Sequence, residues 1–79
     1  MMPVWQEDRT AAAGSPKRYR AQSVRADGHR AELFTCEDGA WSVEDLCDHG
    51  AHFRAVASGR AANLDAAQLI ARLVWELSA

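Results

Sequence analysis

Ala26-Asp27-Gly28-His29 and Glu37-Asp38-Gly39-Ala40 are the stretches on which the reading of this chain turns. Asp-Gly is the strongest short hairpin signal, because a two-residue type I′ turn needs positive φ at both central positions. His49-Gly50 and Ser58-Gly59 continue the punctuation, so the glycines fall at spacings of eleven, eleven and nine residues. That rhythm suits short antiparallel strands. Strands are expected at about 17–26, 29–37, 40–48 and 51–58, with a helix after them. The fold class is α+β: a small antiparallel β-meander of three to four strands with one C-terminal α-helix packed on one face.

The helix follows from Leu64-Asp65-Ala66-Ala67-Gln68-Leu69. It reads as an Asp65 N-cap, Gln68 three residues on, and a Leu64–Leu69 hydrophobic staple. At 100° per residue, Ala66, Leu69, Ile70, Leu73, Val74 and Leu77 form an apolar stripe, which is expected to cover the sheet. Trp75 points away from that stripe, beside Leu64 and Ala71. A ββαα fold is the alternative. Ser42-Val43-Glu44-Asp45 also matches a capping box, and Val43, Leu46, Cys47, Gly50 and Ala57 share a helical stripe. It places Gly50 in mid-helix, at a cost of about 1 kcal/mol relative to Ala.

Two-residue turns would also fix the register, and register decides which side chains share a face. They pair Cys36 with Trp41, Phe34 with Val43, Tyr19 with Cys36 and Ala21 with Phe34. The face under the helix would then carry Tyr19, Ala21, Phe34, Cys36, Trp41 and Val43. The other face would be mostly polar (Arg20, Gln22, Thr35, Ser42, Glu44), crossed by one apolar rung of Val24, Ala31, Leu46 and Phe53.

Around this middle, Ala11-Ala12-Ala13-Gly14-Ser15-Pro16 sets residues 1–16 apart as a flexible N-terminal tail, leaving 17–79 as a single domain. Of the 48% hydrophobic residues in 79, sixteen residues are Ala, so the core has few large side chains to draw on. A net charge of −2 with 25% charged residues reads as a soluble globular chain rather than a disordered one. No apolar run approaches the length of a membrane span, and no basic-then-apolar leader opens the chain. Two cysteines make no disulfide framework, so a cytoplasmic location is expected.

Catalysis finds no support. No nucleophile elbow or phosphate-binding glycine loop is present, and Cys47 near His49 or His52 offers a thiolate–imidazole pair without a visible cleft around it. The expected function is therefore that of a small, non-catalytic, bacterial-type accessory or interaction module without a cofactor. It would act through an apolar surface of Trp75, Leu64, Ala71, Val24, Leu46 and Phe53, toward a protein partner or as a homodimer. One alternative is nucleic-acid binding through the basic first strand, with Lys17, Arg18, Tyr19, Arg20, Arg25 and Arg30. Against it, residues 31–50 carry six acids and no Lys or Arg, and charge on an edge strand also guards against unwanted pairing. The other alternative is a weak metal site of His29, Cys47, His49 and His52, whose spacing matches no standard structural pattern. Over residues 38–77, the strand order, the Gly-rich bend and the Leu64-Asp65-Ala66-Ala67 helix start resemble small bacterial α+β modules, including HicB-type antitoxins. The chain departs from that family in lacking a Pro-Gly-Cys segment.

Overall fold

The computed structural model describes residues 3–8, 14–47 and 52–78, with Cys47, His52 and Phe53 described by their backbone alone. Five antiparallel strands lie in chain order in one sheet: β1 (Gln6–Asp8), β2 (Arg18–Val24), β3 (Arg30–Cys36), β4 (Ala40–Cys47) and β5 (His52–Arg60). One helix, α1 (Leu64–Leu77), packs across β3 and β4. The meander and the C-terminal helix are as expected. The ββαα alternative is excluded, because residues 43–47 lie in β4 and residues 52–57 in β5 rather than in a helix. The sheet also has one strand more than the three to four expected. β1 lies in the segment set apart as a tail, where Gln6, Glu7 and Asp8 pair with Arg20, Tyr19 and Arg18.

The register differs from the expected one by a single residue, with large consequences. Both Asp-Gly turns close three-residue loops rather than two. Gly28 N–H donates to the Arg25 carbonyl at 2.9 Å and Gly39 N–H to the Cys36 carbonyl at 2.9 Å, with φ of +87° and +97°. A β-turn followed by a left-handed glycine is the other common hairpin connection. In each turn the Asp side chain accepts from the backbone two residues on, Asp27 from His29 N–H at 3.0 Å and Asp38 from Ala40 N–H at 3.1 Å. The extra residue turns β3 over relative to its neighbours. Leu33, not Phe34, faces Ala21 and Val43, and Thr35 lies between Tyr19 and Trp41. Phe34 and Cys36 therefore move to the uncovered face, while Ala31, Leu33 and Thr35 are buried under the helix.

The helix is turned as well. Its buried residues are Ala67, Ala71 and Trp75, not the stripe of Leu69, Leu73 and Leu77. Ala67 and Ala71 let the helix backbone approach the sheet closely, and Trp75 fills the space at its C-terminal end. The core comprises Ala31, Leu33, Val43, Ala71 and Trp75, flanked by Trp5, Trp41, Val56 and Val74. The helix also begins earlier than expected. Asn63, not Asp65, is the N-cap, its side chain accepting from Ala66 N–H at 2.9 Å, while Asp65 sits in the first turn where the dipole favours an acid.

Both ends of α1 are tied to hairpins. Ala61 N–H donates to the Gly39 carbonyl at 2.8 Å, and a Cβ on Gly39 would run into the Ala61 carbonyl. At the other end, the Arg25 guanidinium lies 4.0 Å over the Trp75 ring and donates to Ser78 Oγ at 3.0 Å. The Ser78 hydroxyl in turn donates to the Trp75 carbonyl at 2.8 Å. β5 carries a bulge opposite Val43 and Glu44, which inserts Val56 as an extra residue against the core.

Candidate functional site

The outer surface of α1 gathers more exposed large apolar side chains than any other element. Only Asp65, Gln68, Arg72 and Glu76 of its fourteen residues are polar, and at 100° per residue they occupy one narrow arc. Everything else around the helix is apolar. The sheet takes the Ala67–Ala71–Trp75 side, and the opposite side presents Leu69, Leu73 and Leu77 at 49%, 39% and 81% exposure, with half-buried Ala66 and Ile70 between them. Ala66, Ile70, Leu73 and Leu77 recur at intervals of four, three and four, the spacing of a seam between two helices. Pro3 and Trp5 of the N-terminal segment line one flank of this surface with Leu69 and Arg72. Val4 beside them is 75% exposed.

This apolar surface is not the one expected from the sequence. Trp75 and Ala71 are in the core at 1% and 0% exposure, so neither is available for contact. Leu64 is half-buried at the start of α1. Val24 and Leu46 do share a rung on the far face of the sheet, with Phe53 opposite Leu46 in register, but Arg30 stands between them where Ala31 was expected. The helix and sheet members of the expected set therefore lie on opposite sides of the molecule. Leu69, Leu73 and Leu77 form the stripe that helical periodicity points at the sheet, and the structure leaves them on the outside.

The basic set also divides. Arg18, Arg20 and Arg30 project from the uncovered sheet face, and Arg20 reaches Glu32 at 3.8 Å. Tyr19 lies half-buried on the helix side, and Lys17 precedes β2, its N–H donating to the Glu37 carboxylate at 3.1 Å. Arg25 is committed inward, its side chain only 11% exposed and paired with Asp27 at 3.1 Å. Of the metal candidates, His49 lies outside the described residues, as do the side chains of Cys47 and His52, while His29 is exposed in the β2–β3 turn. Among the described residues no group of three His, Cys, Asp or Glu side chains could hold a metal ion.

The ion pairs and turn acids serve the scaffold. Asp45 and Arg54 are opposite in register and paired at 3.3 Å, with Asp45 buried. Asp27 and Asp38 both titrate below the ordinary carboxylate value, first because each accepts a backbone hydrogen bond within its turn, from His29 and Ala40 respectively. Among the described residues, no helix is long and apolar enough to cross a membrane. Set against protein-family models, curated proteins and solved structures, the chain matches none.

Proposed function

We propose that this protein is a small, non-catalytic interaction module whose contact surface is the outer side of α1. The observation that carries the reading is the clustering of Leu69, Leu73 and Leu77 on that side, after the sheet has been covered by other residues. A helix apolar on nearly all sides is at rest only when buried on nearly all sides. Exposed apolar surface gathered in one place marks a contact site, whereas scattered single residues need no explanation.

A second copy of the chain is the occupant. The four-three-four spacing of Ala66, Ile70, Leu73 and Leu77 is self-complementary when two such helices pack antiparallel about a two-fold axis. Fourteen residues at a rise of 1.5 Å give a helix about 21 Å long. Such a pair buries a few hundred Å² per protomer, below the roughly 800 Å² of a standard stable interface. The dimer is therefore weak and concentration-dependent.

Sedimentation equilibrium over a wide concentration range tests the reading. The wild-type protein should approach the dimer mass at high concentration, and Leu73→Asp should remain monomeric with an unchanged far-UV spectrum. A wild-type protein that stays monomeric throughout defeats the dimer. Retained self-association in Leu73→Asp places the contact elsewhere.

A further inference from the structure

The sheet face away from α1 holds a second feature, independent of the helix surface. Register places Gln6, Arg20, Phe34, Ser42 and Ser58 in one row across all five strands, with Phe34 at its centre on β3. Around Phe34 this face carries small side chains: Cys36 on the same strand, Ala40 and Ser42 on β4. Half-buried Phe34, with these small side chains on one side and the long Arg20 on the other, floors a groove of about 520 Å³. That is within the size range of small-molecule sites.

The walls are of opposite charge. Arg18 and Arg20 stand on the β2 side, Glu44 and Asp38 on the β4 side, and Asp8 at the β1 rim. Arg20 is only loosely engaged, at 3.8 Å from Glu32 with its side chain 58% exposed. From β2 to β4 is two strand spacings, roughly 9–10 Å. That span fits a ligand with an anion at one end, a flat ring in the middle and a hydrogen-bond donor at the other. We propose that this groove binds a mononucleotide. The phosphate lies on Arg18 and Arg20, the base stacks on Phe34, and the amine-bearing edge of the base turns toward Glu44. Asp38 is itself paired with Arg60 at 3.2 Å and Asp8 stands opposite Arg18 in register, so it is Glu44 that turns a second phosphate away and makes the occupant a single nucleotide rather than a strand.

The test is an amide chemical-shift titration of the full chain with cytidine monophosphate, uridine monophosphate, inorganic phosphate and a cytidine-rich DNA decamer. Cytidine monophosphate should shift Arg20, Phe34 and Ser42 saturably in the millimolar range. Uridine monophosphate, which turns a carbonyl toward Glu44 instead of an amine, should bind about threefold or more weakly. Phe34→Ala should weaken cytidine monophosphate about tenfold or more through lost stacking. Phe34→Leu keeps the bulk of the floor and should show the same loss of stacking if Phe34→Ala fails to fold. Glu44→Gln should erase the preference for cytidine over uridine. Three results would each overturn the proposal: no saturable shift on this face, equal shifts with inorganic phosphate, or tighter binding of the decamer than of the mononucleotide.

Discussion

The two sides of α1 are built from the same apolar alphabet and do opposite things. The inner side is small and flat, Ala67 and Ala71, ending in one large ring at Trp75. The outer side is bulky and branched, Leu69, Leu73 and Leu77, and stays in contact with solvent. Bulk does not decide which side a sheet accepts. A helix resting across two strands needs a close backbone approach along most of its length, which alanine permits and leucine opposes. The difference shows that hydrophobic periodicity locates apolar sides without ranking them.

The contrast is open to attack at several points. Trp75→Ala should cost about 3–5 kcal/mol, since it empties the largest fully buried side chain, and urea or thermal melts would register it as a fall of many degrees. Ala71→Leu should cost about 1–3 kcal/mol, because the added bulk pushes the helix off β3 and β4. A neutral outcome there would mean that the helix can present its leucine side to the sheet after all. Arg25→Ala removes the cation stacked on Trp75 and should cost about 1 kcal/mol, measured by the same melts. The outer side should respond least in stability: Leu73→Asp is expected to change it by no more than about 0.5 kcal/mol while abolishing self-association.

Acid sharpens the same comparison from the side of the inner clamp. Asp27, which holds Arg25 over Trp75, titrates below its ordinary value of 3.8, so its folded-state pKa is depressed. The stabilisation it gives is present above the unfolded value and is lost as pH falls through the folded one. A melt series across and below pH 3.8 should show a loss of stability in the wild-type protein that is reduced in Asp27→Asn.

Much of the architecture was legible because Asp27-Gly28 and Asp38-Gly39 mark turns whichever loop length they serve. The register was not, for the same reason. The dipeptide that supplies two positive-φ residues to a two-residue loop also supplies the Asx bond and left-handed glycine of a three-residue loop. One residue more moved Phe34 and Cys36 away from the helix and Leu33 under it. β1 escaped notice because Gln6-Glu7-Asp8 is polar throughout, and its pairing owes more to the edge of β2 than to any pattern of its own. Gly59 illustrates a further limit. It looks like a turn residue, but it lies within β5, where a Cβ would press on the Trp41 ring. Of the surface expected from Trp75, Leu64, Ala71, Val24, Leu46 and Phe53, the structure puts Trp75 and Ala71 in the core and leaves Leu69, Leu73 and Leu77 outside, because Trp75 reads as the odd residue only if the leucines are assumed to be inside.

The paired anchors of α1 bear on how it can be met by another molecule. Its start is stitched to the β3–β4 turn through Ala61 and Gly39, and its end is latched to the β2–β3 turn through Ser78 and Arg25. Such a rod offers its leucines already locked in place, with little disorder left to forfeit on docking. Under the proposed self-association, such a fixed surface would make orientation, rather than rearrangement of this chain, the limit on the encounter.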